Sequence, residues 1–118
     1  YWQKNREPVK CGNLGFVGSD EWAHDNDFSK YVEFLKYYDY CVEYIWENLL
    51  PETIIITTDH SRGKNIWQEH NNKLPESNKV WCFVISKNKK RLDASKKLFS
   101  SPPINTDTYK LLQNFILA

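Results

Sequence analysis

The sequence has no methionine, few cysteines, almost no net charge and no long run of apolar residues. The apolar runs fall far short of the roughly 20 residues that a membrane-spanning helix requires, and no signal peptide is visible. The 3 cysteines, Cys11, Cys41 and Cys82, are widely spaced and odd in number, so they predict no disulfide framework and leave the compartment open. A net charge of +1 gives no electrostatic basis for a nucleic-acid partner.

What is present is typical of a globular protein. The 118 residues are 41% hydrophobic and 26% charged, and the aromatic share of 15% supplies much of the core. A chain of this length fits one small domain or a piece of a larger one. Because the chain starts at Tyr1 and lacks methionine, we expect a processed product or a part of a longer polypeptide.

The first half of the chain predicts a strand, a loop and a long helix. Residues 13–18, NLGFVG, are a short apolar run bounded by glycine, which favours a buried strand. The polar residues 19–27, SDEWAHDND, are interpreted as a loop. Apolar residues then recur every three or four positions from Phe28 to Leu49, which predicts an amphipathic helix capped by Asn26 or Asp27 and ended by Pro51.

The second half predicts two further strands, residues 53–58 and 79–86, joined by a long polar loop. The unbroken apolar run TIIITT is typical of a strand buried on both faces of a parallel sheet. The lysine-rich residues 87–98 are interpreted as a solvated turn or sheet edge. A last helix is predicted with Thr106 or Asp107 as its cap.

The order strand, helix, strand, strand, helix predicts an α/β fold with a mostly parallel sheet flanked by helices. Three strands and two helices make a thin core for an independent domain. We therefore expect residues 1–118 to form a single α/β segment, the C-terminal part of a larger domain.

All 3 histidines of the chain follow the ends of predicted strands. Asp20 and His24 come after the first strand, Asp59 and His60 after the second, and His70 lies in the loop that follows. In open α/β sheets, ligands gather beyond the carboxyl ends of the strands. The sequence therefore predicts that these five side chains share one rim of the sheet, although each alone could be an ordinary cap or loop residue.

Imidazole nitrogen and carboxylate oxygen together suit zinc, manganese or iron, whereas calcium favours oxygen ligands alone. The group contains no cysteine, which argues against a structural zinc site. A catalytic zinc keeps three protein ligands and an open position, so five candidates favour two metal ions. Such a pair can clamp a phosphoryl or sulfuryl group.

The segments that carry these residues, SDEWAHDNDFSKYVEFLKYYDYCVEYIWENL and TIIITTDHSRGKNIWQEHN, resemble the C-terminal half of the alkaline phosphatase superfamily. That group includes phosphodiesterases of the nucleotide pyrophosphatase type, arylsulfatases and cofactor-independent phosphoglycerate mutases. The resemblance runs from about Leu14 to the C-terminus. Its most specific parts are the Asp-x-x-x-His motif, the Asp-His pair and the later single histidine.

The resemblance implies that Asp20, His24 and His70 hold one metal, and that Asp59 and His60 help to hold a second. Zinc is favoured, with manganese as the alternative. In the family, an aspartate and a Ser or Thr nucleophile from an earlier segment complete the second site, and we find no counterpart of either here. The catalytic nucleophile is therefore unknown and is expected upstream of this chain.

Two positions depart from the family pattern. Ser61 stands where the family usually has glycine after Asp-His, and Asn71 stands where glycine commonly follows the last histidine. Asn tolerates the left-handed backbone better than most residues, so these changes concern fine geometry more than the identity of the ligands.

Other residues near the predicted ligands have candidate roles too. Arg62 and Lys64 are candidates for binding the negative charge of a substrate, although solvated loop cations are the plainer interpretation. Trp22 and Trp67 could form walls of a pocket, with packing as the simpler alternative.

Three functions compete. The first is a two-metal hydrolase of phosphate or sulfate esters, acting on a small molecule, with no nucleic acid and no membrane segment involved and a periplasmic or extracellular location by family resemblance. The second is a non-catalytic metal-binding or interaction module of the same fold. The third is a structural α/β domain without metal.

Overall fold

The computed structural model describes residues 12–98, 105–113 and 115. Cys11 and the rest of the polar N-terminal segment therefore lie outside the described residues. In chain order the elements are α1 (Gly18–His24), α2 (Phe28–Asn48), β1 (Thr53–Thr57), a 3₁₀ turn (Pro75–Asn78), β2 (Cys82–Ser86), α3 (Lys89–Ser95) and α4 (Asn105–Leu112).

The long helix α2 confirms the prediction made from the apolar spacing. It begins directly after Asp27, whose side chain accepts a hydrogen bond from the amide of Lys30 at 3.0 Å. This contact satisfies one of the amide groups that the first turn leaves without a helical partner. The helix ends at Asn48, three residues before Pro51, whose ring cannot continue a helix.

The prediction of a strand over residues 13–18 and a loop over residues 19–27 is wrong. Residues 12–17 have no regular structure, and α1 begins at Gly18. Its first turn contains two acidic residues, Asp20 and Glu21, which stabilise the helix because their negative charge lies near the positive end of the helix dipole. The helix has 7 residues and buries only one of them, Ala23. Its sequence is therefore mostly polar and shows no apolar period that would predict a helix.

Helix α1 packs closely on α2. A Cβ atom added at Gly18 would collide with the ring of Phe34, so the helices approach only because this residue has no side chain. Just before α1, Phe16 stacks on Tyr38 with ring centroids 4.3 Å apart. The Tyr38 hydroxyl also accepts a hydrogen bond from the amide of Ser19 at 2.8 Å. These contacts fix the orientation of α1.

A strand lies within each of the predicted ranges 53–58 and 79–86, although β2 begins only at Cys82. The two strands pair antiparallel, from Thr53 opposite Ser86 to Thr57 opposite Cys82. Parallel pairing is therefore wrong for these two strands, and a mostly parallel sheet stays a prediction for the larger fold. A parallel pair needs a crossover, usually a helix. The connection here contains only a 3₁₀ turn, so the chain reverses direction.

Residues 87–98 contain a helix, α3, where a turn or sheet edge was predicted. The side chain of Asn88 caps it by accepting a hydrogen bond from the amide of Arg91 at 3.1 Å. The final helix was predicted with Thr106 or Asp107 as its cap. It begins earlier, at Asn105, so Asp107 lies in its first turn, and the side chain of Thr106 lies outside the described residues.

Buried apolar side chains are few among the described residues: Ala23, Val80, Leu111 and Phe115. Helix α2 has no fully buried residue in spite of its amphipathic pattern. Within the described part of the chain, no helix is both long and apolar enough to cross a membrane.

Candidate metal centre

Helix α1 supplies the first two candidate ligands. Asp20 and His24 are four residues apart, so they lie on the same face of the helix. The Oδ2 atom of Asp20 is 3.4 Å from Nε2 of His24, and both side chains are about two-fifths exposed, at 39% and 40%. Both side chains can therefore take part in binding while remaining accessible to solvent.

The loop between β1 and β2 brings the other two imidazoles to the same carboxylate. Oδ1 of Asp20 is 3.5 Å from Nε2 of His70 and 3.9 Å from Nε2 of His60. His24 and His70 also approach each other, with 3.2 Å between their Nε2 atoms. Three residues, Asp20, His24 and His70, each offer one ligand atom within 4.8 Å of the others.

Asp59 and His60 form a neighbouring pair at the end of β1. Oδ1 of Asp59 is 3.7 Å from Nε2 of His60 and accepts a hydrogen bond from the His60 amide at 3.0 Å. The Asp59 side chain is 86% exposed, whereas that of His60 is only 26% exposed. The five predicted ligands therefore lie in one connected group.

The hydrogen bond of His60 Nδ1 decides which ring nitrogen faces the group. Nδ1 is 3.1 Å from the carbonyl oxygen of Ser61, and a carbonyl can only accept. We therefore assign the hydrogen to Nδ1, which leaves a lone pair on Nε2 for a metal. Backbone carbonyls commonly orient metal-binding histidines in this way.

Arg62 contacts several parts of the site at once. Its guanidinium forms an ion pair with Oδ1 of Asp20 and donates to the carbonyl oxygens of Asp20, Trp67 and Gln68 at 3.3, 3.3 and 3.1 Å. The sequence predicted a substrate-binding role for Arg62. That role stays a prediction: the guanidinium contacts a candidate ligand and the backbone near it, and Lys64, the other predicted cation, is exposed.

The two tryptophans near the site pack against α2. Trp22 lies 6.2 Å from Phe34 between ring centroids, and Trp67 contacts Phe28 and Tyr31 edge to face, each at 5.7 Å. The indole Nε1 of Trp67 also donates to Oδ1 of Asn26 at 2.8 Å. These contacts tie the histidine-bearing loop to the turn between α1 and α2.

The loop keeps its shape through its own backbone. The amide of Gly63 donates to the carbonyl of Glu69 at 3.0 Å, and a Cβ atom at Gly63 would lie 2.8 Å from the carbonyl oxygen of Ile66. The hydroxyl of Ser77 bonds the carbonyls of Asn71 and Leu74, both at 2.7 Å. His70 is thus carried by a closed, hydrogen-bonded loop.

The chemistry of this donor set fits a divalent transition metal. It combines imidazole nitrogens with carboxylate oxygens and contains no thiolate, as catalytic zinc and manganese sites do. The assignment of individual residues as ligands stays a prediction.

The family model of the Metalloenzyme superfamily matches residues 4–106, most of the chain. The chain belongs to this superfamily. Since the Metalloenzyme superfamily is part of the alkaline phosphatase superfamily, the resemblance seen in the sequence is confirmed. Neither the curated proteins nor the solved structures yield a match.

Members of the superfamily bind divalent metals and are mostly enzymes that act on phosphate- or sulfate-type groups. Membership implies an α/β fold of the alkaline phosphatase type and a metal-dependent function of the phosphoesterase or mutase kind.

Sequence reasoning missed the contacts of Arg62 with Asp20 and with the carbonyls before His70. The available signal was its place two residues after His60, inside the segment that carries three of the candidate ligands. An arginine so placed can reach a neighbouring carboxylate as readily as a substrate.

Proposed function

We propose that this chain forms the metal-binding part of a two-metal hydrolase that acts on phosphate or sulfate esters of small molecules. One observation carries the proposal: donor side chains from α1 and from the loop after β1 converge on one group, with contacts from 3.2 to 3.9 Å. Two widely separated segments of the chain contribute to it, as a built site requires.

The donors divide into two sets. Asp20, His24 and His70 would hold the first metal, because their ligand atoms alone lie within 4.8 Å of one another. Asp59 and His60 would contribute to the second. The rings of His60 and His70 stack with centroids 3.6 Å apart, so the histidine of one set lies directly beside a histidine of the other.

Zinc suits this donor set best, with manganese as the alternative. When bound, two divalent ions polarise the phosphoryl or sulfuryl group and stabilise the attacking and leaving oxygens. The chain's own residues offer imidazole nitrogens and carboxylate oxygens, and the Nδ1 hydrogen bond of His60 leaves the lone pair of its Nε2 atom available. Lys64, exposed in the same loop, would attract an anionic substrate.

The proposal places the attacking Ser or Thr hydroxyl in a segment that precedes these residues in a longer polypeptide. A periplasmic or extracellular location remains a prediction from the family.

The test is the metal content of the full-length protein, measured by mass spectrometry after dialysis against zinc or manganese. We expect two equivalents in the wild type. His60→Ala and His70→Ala should each lose at least one equivalent and the hydrolysis of p-nitrophenyl phosphate or p-nitrophenyl sulfate. Asn72→Ala is the matched control, because Asn72 is exposed in the same loop.

Unchanged metal content in both histidine variants would refute the proposal. Normal metal content in the wild type without hydrolysis of either ester would favour a non-catalytic metal-binding module instead.

A further inference from the structure

The guanidinium of Arg62 connects the two segments that carry the candidate ligands of the first metal. One nitrogen, Nη2, contacts Oδ1 and the backbone carbonyl of Asp20 in α1. The other, Nη1, contacts the carbonyls of Trp67 and Gln68, which come just before His70 in the chain. A single side chain thus spans both segments.

The burial and the contacts of Arg62 are unsuited to a side chain that binds a substrate directly. The Arg62 side chain is only 16% exposed, and four acceptors already contact its two terminal nitrogens. Moving the guanidinium toward a substrate would leave those carbonyls without this partner, which costs free energy in a partly buried site.

The same contacts are compatible with a metal at Asp20. A carboxylate offers about four lone-pair positions on two oxygens, so Asp20 can accept from Arg62 and still coordinate an ion. A hydrogen bond from a fixed donor restricts the rotation of the carboxylate, and outer partners of this kind commonly tune metal affinity.

We infer that Arg62 is a positioning residue: it holds the carboxylate of Asp20 and the backbone before His70 in one arrangement, and so prepares both for the first metal. The inference rests on the proposed metal site, and it assigns Arg62 to the site's framework rather than to substrate binding.

Only arginine has the required shape. The planar guanidinium presents five N–H donors in a fixed fork, whereas the ammonium of lysine is a compact point charge. Arg62→Lys therefore keeps the positive charge but loses the planar set of N–H donors. This variant separates the effect of the charge from the effect of the donor geometry.

The test measures the dissociation constant for zinc in the full-length protein by competition with a chromophoric chelator. We expect Arg62→Ala to weaken the first zinc by about 10- to 100-fold, the range seen for outer partners of metal ligands. Arg62→Lys should also weaken it, though less. Lys73→Ala, which removes an exposed cation from the same loop, should leave the affinity unchanged.

A second readout separates positioning from substrate contact. At saturating zinc, Arg62→Ala should recover most of kcat with an unchanged KM for p-nitrophenyl phosphate, because the metal then enforces the geometry. A raised KM at saturating zinc would show that Arg62 binds the substrate and would overturn the inference.

The outcomes also separate this inference from the proposed function. If wild-type protein binds no zinc or manganese, the proposed metal site fails. If wild type binds metal and Arg62→Lys and Arg62→Ala bind it as tightly as Lys73→Ala, or more tightly, only the positioning role fails. Far-UV circular dichroism of each variant establishes that it is folded, and Arg62→Lys carries the test if Arg62→Ala does not fold.

Discussion

The imidazole rings of His60 and His70 stack face to face, with centroids 3.6 Å apart and planes inclined by 17°. Their Nε2 atoms lie 3.9 and 3.5 Å from the same oxygen of Asp20. The stack can therefore serve two purposes, packing between two parts of one loop and the presentation of two nitrogens side by side.

These two purposes can be separated with His60→Phe. Phenylalanine keeps a flat ring against His70 but has no nitrogen, so we expect the metal content to fall from two equivalents to one while the fold is retained. His60→Ala should lose the same metal and also the ring contact, which makes it the less stable variant. Metal content and urea unfolding of both variants check this. Two equivalents in His60→Phe would show that His60 is a packing residue only.

The contact between Gly18 and Phe34 leads to a second prediction. Gly18→Ala places a methyl group against the ring of Phe34, and we expect a loss of about 1–3 kcal/mol in the free energy of unfolding. Because α1 carries Asp20 and His24, zinc affinity should fall as well. Urea unfolding and chelator competition are the measurements.

Gly15→Ala is the matched control, since a Cβ atom there has nothing within 4 Å. The double variant Gly18→Ala, Phe34→Leu should regain part of the lost stability. Equal stability of the Gly15 and Gly18 variants would contradict the close packing of α1 on α2.

The spacing within each part of the site was predictable from short local patterns, but the meeting of the two parts was predicted from strand ends at one rim of a sheet, and Asp20 and His24 instead lie on helix α1. Asp20 and His24 are separated by four residues, and Asp59 and His60 follow a run of β-forming residues. Helix α2 was predictable for a similar reason, since a side-chain cap and a regular apolar period agreed over its whole length.

The features that could not be predicted depend on tertiary contacts. Nothing local distinguishes NLGFVG from a strand. Residues 13–17 are exposed and have no regular structure, and Gly18 begins a helix that packs against Phe34 of α2. The partner of Arg62, Asp20, lies 42 positions away in the chain, so the sequence alone gave no reason to prefer it to a substrate.

A third prediction concerns the thiol of Cys82 in β2. Burial raises the pKa of this thiol above its ordinary value, so the folded protein favours the protonated form. The protonated Cys82 thiol therefore favours the folded state fully at a pH below the pKa of an unfolded cysteine. This contribution to the free energy of unfolding is lost as the pH rises through the raised pKa of the folded state. Only the thiolate reacts readily with iodoacetamide. Alkylation of Cys82 should therefore be slower than that of the urea-unfolded chain at pH 8.

The rate for Cys82, followed by peptide mass spectrometry, should approach that of the unfolded chain as the pH is raised. Equal rates at pH 8 would show that burial does not protect the thiol. Cys82→Ser should remove the corresponding pH dependence from the free energy of unfolding.

A fourth prediction concerns Asp20, whose carboxylate contacts the three histidines and Arg62. Asp20→Asn keeps the size of the side chain but removes its negative charge, so a metal loses an anionic ligand and Arg62 loses its ion pair. We expect zinc to bind at least about 10-fold more weakly, and the metal-free protein to lose roughly 1–3 kcal/mol in its free energy of unfolding.

Asp39→Asn, an exposed change on α2, is the control for the loss of charge and should alter neither quantity. The combined variant Asp20→Asn, Arg62→Ala should cost less stability than the sum of its parts, because the two residues share one interaction. Strict additivity would mean that the ion pair contributes little to the fold. Wild-type zinc affinity in Asp20→Asn would remove Asp20 from the ligand set, because a neutral amide oxygen at the centre of the group cannot replace the charge that holds a divalent ion.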